Sequence, residues 1–418
     1  MSIVTNVNNI ADKLHQIHKE IKITIENKFG LGPAKYIFPY CMNDPNIILP
    51  FAYAVNVLKL SRPQRTSFPA IEVKFTGTLR PEQKILRKEA LTVLSRRGSL
   101  IISAYTGFGK TSCAINLATN IGFITLIIVN KIILIKQWKD SILKFCPDAK
   151  VQCITPKSRI SIPGTEFYII NAQNVEKMPR TFFQNVGLCI IDEAHLIMAE
   201  TLFKCLLYVY PRYLIGLTAT PYRPDGLNKL LDLYFGPDKI IRKLFRPHTV
   251  YKVHTKFKPP VEKTIQGRVN WGAILDAQAK NEDRNELIIR IIQSYPTRNF
   301  LVLIKRVVQG EYLLKRLREL NEHVTDLIGG NQEFDHSARI LIGTCQKVGI
   351  GFDHSKLDTL MLATDIEEYF IQYLGRVFRT EEAEPVIFDL VDENKILQRH
   401  FSTREGIYLQ HGGTIKNF

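Results

Sequence analysis

The chain has 418 residues, too many for one ordinary hydrophobic core, so two domains with an appendage are expected. Hydrophobic residues make up 45% and charged residues 23%, a soluble globular composition with no apolar run long enough to cross a bilayer. The 56 Lys+Arg against 40 Asp+Glu give a formal net charge of +16, which favours a polyanionic partner, nucleic acid first.

The opening "MSIVTNVNNIADKLHQIHKE" lacks the apolar stretch of a signal peptide. Residues 1–77 read as an N-terminal module. A polar, helical start precedes the aromatic and proline-rich "YIFPYCMNDPNIILPFAYAV", which suits a small packed unit or a partner surface. From 78 to 247 short apolar runs alternate with helical patterns: "SLIISAY", "ITLIIVN", "FYIINA", "GLCIIDEA", "YLIGLTAT". A second series, "NFLVLI", "ARILIGT", "DTLMLAT" and "PVIFDLV", fills 248–393, with a helical tail over 394–418. Continuous apolar strands alternating with helices predict parallel sheets covered on both faces, hence two α/β domains. The change-over lies near "RPHTVYKVHTKFKPPVEKT". From Lys239 to Glu319 there are 18 basic and 7 acidic residues, so most of the surplus charge lies there. The seven cysteines are scattered without a CxxC pair. Cys113, Cys189 and Cys345 sit in apolar surroundings, which predicts a reducing, intracellular compartment with no disulfide framework and no zinc site.

Ligands of open parallel sheets bind at the carboxyl ends of strands, and the chemistry-bearing residues follow the apolar runs. In "AYTGFGKT", Thr106, Gly107 and Gly109 form a loop whose backbone amides can approach phosphate oxygens. Lys110 supplies a cation for the β- and γ-phosphates and Thr111 a hydroxyl for Mg²⁺; the opening position, usually Gly, is Ala104. A phosphate loop needs a carboxylate at a neighbouring strand tip, and "GLCIIDEAH" provides it. Asp192 is expected to hold the metal and Glu193 to orient the attacking water. "IINAQN", with Asn171 and Gln173, and "GTCQK", with Thr344, Gln346 and Lys347, also follow strands and are candidate nucleic-acid contacts, tracking the backbone in a salt-sensitive way.

"AYTGFGKT", "IIDEAH", "GLTATPYRPDG", "IGTCQKVGIGFD" and "QYLGRVFR", in this order, resemble the motifs of superfamily 2 helicases and translocases with a DEAH-type second motif. "LRPEQ", "LTATPYR" and the tail "IFDLVD" resemble in particular the XPB-like group, which includes the poxvirus helicase that releases transcripts. The resemblance covers residues 78–400 and hints at a viral source, with host cytoplasm or virion as the compartment. It implies two tandem RecA-like domains, ATP hydrolysis with Mg²⁺, a monomer, and DNA rather than RNA as substrate, in transcription, replication, or repair and recombination. It also implies that Gln83 contacts adenine, that Thr218 and Thr220 couple the nucleotide to the nucleic-acid groove, and that Asp353 meets the ribose or relays the nucleotide state. Gln372, Arg376 and Arg379 would reach the γ-phosphate from the second domain. Arg376 and Arg379 are three apart and share a face if helical.

Two departures stand out. "VNKIILIKQW" replaces a proline-containing segment, with Asn130, Lys131, Gln137 and Trp138 as groove candidates. Arg223, Pro224 and Asp225 stand where the XPB-like group has Arg-Glu-Asp; Arg223 is kept as a nucleic-acid contact. The alternatives are an RNA helicase and a nucleic-acid scaffold without hydrolysis. The intact set Lys110, Asp192, Glu193, Arg376 and Arg379 argues against the scaffold.

Overall fold

The computed structural model describes residues 1–25, 35–105, 107–157, 160–198, 203–219, 227–264, 267, 269–331, 333–349, 354, 356–366, 370–378 and 383–418. Of the expected site residues, Thr106, Thr220, Arg223, Asp353 and Arg379 lie outside the described residues. The chain forms two compact units, Met1–Ala104 with Phe108–Arg242, and Lys243–Phe418 with Tyr105–Gly107.

The first unit opens with β1 (Ser2–Asn6), β2 (Ile23–Ile25), β3 (Lys35–Ile37), β4 (Cys41–Asn43) and β5 (Asn46–Pro50). They form an antiparallel sheet of order β1-β5-β4 and a β2-β3 pair. These residues do not keep a core to themselves. Ile3, Ile17, Leu49 and Phe51 share one apolar cluster with Leu206, Val209, Leu230 and Tyr234, and Ser2 Oγ donates to Leu206 O at 3.0 Å.

The main sheet of this unit contains β6 (Ser99–Ala104), β7 (Thr125–Val129), β8 (Val151–Ile154), β9 (Phe167–Asn171), β10 (Leu188–Ile191), β11 (Tyr213–Thr218) and β12 (Lys239–Arg242). All pairs are parallel, in the order β8-β9-β7-β10-β11-β6-β12. Every residue of β6, β7, β9 and β10 is buried, which is why these strands read as unbroken apolar runs. Helix Pro81–Arg97, ahead of β6, carries proline at its first position, where no N–H is needed, and stops at Gly98 in the left-handed region.

The second unit repeats the plan with β13 (His248–His254), β14 (Phe300–Ile304), β15 (Val324–Leu327), β16 (Ile340–Thr344), β17 (Thr359–Leu362), β18 (Val386–Val391) and β19 (Gly413–Asn417). The parallel order is β15-β16-β14-β17-β18-β13-β19. Counted within its own seven-strand sheet, each runs third, fourth, second, fifth, sixth, first, seventh strand. The stretch expected as a helical tail holds helix Lys395–Gln410 and then β19, an edge strand paired with β13, so the sheet extends almost to the last residue.

Candidate functional site

β6, β11 and β10 are neighbours, with Ser103 paired to Thr218 and Ile191 to Gly216. The loop after β6, the acidic pair after β10 and the end of β11 therefore leave one carboxyl edge side by side. Gly107 (φ 92°) and Gly109 (φ 87°) are both left-handed. Gly109 has no room for a side chain, since a Cβ there would lie 2.5 Å from Gln83 Nε2. Helix Lys110–Ile121 starts directly on Gly109, so Lys110 and Thr111 stand in its first turn. Lys110 Nζ donates to Ala104 O at 2.8 Å, closing the loop on its own first residue. Gln83 Nε2 donates to Phe108 O at 2.7 Å, and Gln83 Oε1 accepts from Arg80 N at 2.8 Å. The Arg80 guanidinium donates to the same Phe108 carbonyl. Gln83 and Arg80 thus brace the loop from helix Pro81–Arg97, a role the motif pattern gave to neither.

Asp192 lies half-buried at the tip of β10. Desolvation, and after it the Glu193 carboxylate, push its pKa up to about 6; the Trp138 hydrogen bond and the Lys110 charge pull the other way. Trp138 Nε1 donates to Asp192 Oδ2 at 2.8 Å, and Glu193 N donates to Asp192 Oδ1 at 3.0 Å. Trp138, expected in a nucleic-acid groove, is instead 2% exposed and committed to the acidic pair. The signal was a lone tryptophan within an apolar helix stripe, since a buried indole N–H needs an acceptor. Glu193 has φ 47°, a left-handed conformation that costs a non-glycine residue about 1–2 kcal/mol. Its Oε2 is buried, accepts no hydrogen bond from the described residues and lies 3.4 Å from His195 Nδ1. His195, buried, is hydrogen-bonded through the same nitrogen to Thr218 Oγ1 at 2.7 Å, which ties the acidic turn to the end of β11. The sequence had assigned no role to this histidine.

A carboxylate offers about four lone-pair sites, and the Trp138 and Glu193 donors take one on each oxygen, leaving room for a cation. One carboxylate and the Thr111 hydroxyl, completed by phosphate oxygens and water, is the kind of donor set Mg²⁺ adopts beside a nucleotide. Among the described residues no group of three or more His, Cys, Asp or Glu gathers into a metal cage. The residues fit a nucleotide-borne Mg²⁺.

Residues 76–223 match the family described as "Type III restriction enzyme, res subunit". Along its whole length the chain is 45% identical to the whole of "Putative helicase 161L" of Invertebrate iridescent virus 6. The chain belongs to the superfamily 2 helicases of large DNA viruses. "Putative helicase 055L" of Frog virus 3 is 31% identical over 88% of this chain and 85% of its own length. The solved structure of S. cerevisiae Dbp5 bound to RNA and ADP BeF3 matches 81% of this chain and 94% of its own, with TM-score 0.56 at 13% identity, a likeness of fold alone. The helicase is thus an α/β protein of two RecA-like lobes, and its family carries ATP binding, ATP hydrolysis and nucleic-acid binding. No helix among the described residues is long and apolar enough to cross a membrane.

The remaining expected residues of the helicase divide by lobe. Asn171, last in β9, is buried and spends its Oδ1 on Gln173 N at 3.0 Å, capping the turn, while Gln173 itself is exposed. In the second lobe Thr344 ends β16 and Gln346 is exposed on the short helix Cys345–Gly349 that follows. Lys347 donates to Ile328 O at 3.4 Å and to Asn331 O, so its ammonium is held by the neighbouring loop. Gln372 and Arg376 lie on helix Phe370–Val377, both largely buried, and Tyr373 of that helix donates to Cys345 O at 3.0 Å.

Proposed function

We propose that this helicase is a DNA translocase or unwinding enzyme of the XPB-like group, acting in transcription or in repair and recombination. The observation that best supports an ATP-driven motor is the shared edge, at which a phosphate loop, an acidic pair and the His195–Thr218 bond meet at three adjacent strand tips; the choice of DNA and of the XPB-like group rests on the motif resemblance.

In this reading Lys110 and the loop amides hold the β- and γ-phosphates, Gln83 adds an adenine contact, and Asp353 meets the ribose. Thr111 and Asp192 would hold Mg²⁺, which when bound neutralises phosphate charge. Glu193 orients the attacking water. Arg376, Arg379 and Gln372 complete the site when the second lobe closes on the nucleotide. An arginine in that role contributes roughly 10³–10⁵ in rate. Gln173, Thr220, Arg223, Thr344, Gln346 and Lys347 line the track of the nucleic acid; Asn171 and Thr218 are buried and act behind it, Asn171 capping the turn that carries Gln173 and Thr218 tying the acidic turn to the end of β11. Cycles of closing and opening then move the strand.

The deciding experiment measures ATP turnover in parallel with duplex DNA, single-stranded DNA and RNA. The proposal expects DNA to stimulate and RNA to do so weakly; stimulation by RNA alone overturns it. A second reading, an RNA helicase, is favoured by the name of a relative, the mimivirus "Putative ATP-dependent RNA helicase L396", 26% identical over 99% of this chain. Arg376→Ala should lower the stimulated rate by about 10³-fold or more with nucleic-acid affinity retained.

A further inference from the structure

We propose that Trp138 is a positioning residue that couples engagement of a nucleic-acid strand to the carboxylate of Asp192, an inference that rests on Asp192 being the Mg²⁺ ligand. Its indole N–H donates to Asp192 Oδ2 at 2.8 Å across 54 positions of sequence. The fold does not require tryptophan there. Strand pairing aligns the two lobes residue by residue: Thr125 and Leu188 are partners in the first, Phe300 and Thr359 in the second. On that alignment Ile191 corresponds to Leu362, Asp192 to Ala363 and Val129 to Ile304, and helix Val307–Glu319 takes the place of helix Ile133–Phe145. The inward face of Val307–Glu319 carries Leu313, Leu314 and Leu317, all buried, so ordinary aliphatic residues fill the same layer in the duplicate architecture. The indole appears in the lobe that has a carboxylate to hold.

The same helix reaches the opposite end of the coupling. Helix Ile133–Phe145 starts just beyond β7, whose last residue Val129 pairs with Asn171. At this start Ile132 is 76% exposed and Ile133 50% exposed. β-Branched apolar residues gain neither helix propensity nor burial there. Lys131 and Lys136 flank them, so the turn offers apolar surface to sugars and bases between cations suited to phosphates. From Ile133 to Trp138 the helix rises only about 7–8 Å. A strand that seats on the first turn and shifts the helix therefore shifts the indole, and with it the Asp192 oxygen it fixes. Polynucleotide binding would thereby tighten the geometry of the acidic pair.

Trp138→Phe keeps the ring and removes the donor. The Mg²⁺ concentration for half-maximal ATP turnover should rise about tenfold, the scale for loss of an outer-shell partner. The stimulation by polynucleotide should shrink with it, while polynucleotide affinity stays within about twofold, a split that simple loss of folded protein does not produce. Trp138→His, which restores an N–H donor, should recover part of the Mg²⁺ response. A second measurement leaves Trp138 in place. The chain has two tryptophans, so Trp271→Phe makes Trp138 the sole indole emitter. Addition of oligo(dT) or oligo(U) without nucleotide should then shift its emission, and Ile132→Ser/Ile133→Ser should abolish the shift. Wild-type Mg²⁺ dependence in Trp138→Phe, or unchanged emission at saturating oligonucleotide, overturns the coupling. Absence of any polynucleotide-stimulated turnover in the unaltered protein would instead overturn the function proposed above.

Discussion

The two lobes share one seven-strand topology and differ in what their carboxyl edges carry. Strand pairing matches Gly216 of β11 to Asp389 of β18, and Ala219 to Asp392. In the second lobe both aspartates are buried and satisfied internally. Arg404 grips Asp389 through Nε and Nη2, each at 2.8 Å, and Tyr408 adds a third donor at 2.8 Å. Arg284 Nε reaches Asp392 Oδ1 at 2.9 Å, and Gln278 Nε2 reaches Oδ2 at 2.6 Å. In the first lobe the matching positions are small, and Asp192 and Glu193 stand one strand away with lone pairs to spare. The architecture is therefore indifferent to chemistry. Among the described residues the first lobe's edge carboxylates have no arginine partner and share their edge with a glycine-bounded loop, whereas Asp389 and Asp392 are each held by an arginine.

The largest effect expected from this contrast is catalytic. Lys110→Ala should lower ATP turnover by about 10³-fold, the scale of losing one preorganised cation at the phosphates, with nucleic-acid binding largely retained. Lys256, two positions beyond β13 on the corresponding edge of the second lobe, is the control: Lys256→Ala should leave turnover unchanged. Phosphate release assays on both variants check the pair, and equal losses would erase the distinction between the edges.

The next effect is structural. Arg404→Ala leaves the buried Asp389 carboxylate uncompensated, which costs about 3–5 kcal/mol. The loss should appear as a lowered melting transition of the second lobe, read by hydrogen exchange on β18. A smaller effect belongs to the first lobe. A Cβ at Gly216 would lie 2.8 Å from the Phe235 ring and 3.2 Å from Ala194 Cβ. Gly216→Val should therefore destabilise that lobe by about 1–3 kcal/mol, visible as a lower denaturation midpoint.

Much of this was legible in the sequence because it is local. Buried strands read as apolar runs, and the loop and the acidic pair follow them directly, so the positions of β6, β10 and β11 are readable from the sequence. What was not legible depends on partners far along the chain. Trp138 acquires its role from Asp192, Arg404 from Asp389 and Asp365, and Arg284 from Asp392 across 108 positions. Periodicity marks all three as helix residues facing inward and is silent on what they meet. The strand formed by the last residues was hidden for a related reason. "GTIKN" is short and polar because it is an edge strand, paired on one side only.

The smallest expected effect separates the lobes by pH. His248, in β13, is buried; its Nδ1 donates to Arg246 O at 2.7 Å, and its Nε2 has no hydrogen-bond partner among the described residues. Burial, the largest cause, holds its pKa below the usual 6.5; nearby His411 adds to this, while the Arg246 carbonyl and Glu384 oppose it. The unfolded chain therefore takes up a proton at this residue before the folded lobe does. The destabilising contribution is absent well above pH 6.5 and grows as pH falls through that value toward the folded pKa. His248→Gln removes the titrating group, so the second lobe should lose less stability between about pH 7.5 and 5.5 than in the unaltered protein. Hydrogen-exchange protection of β13 and β18 at both pH values checks this. The exchange of β6 and β10 should show no change in its pH dependence, because neither strand contains or adjoins this histidine.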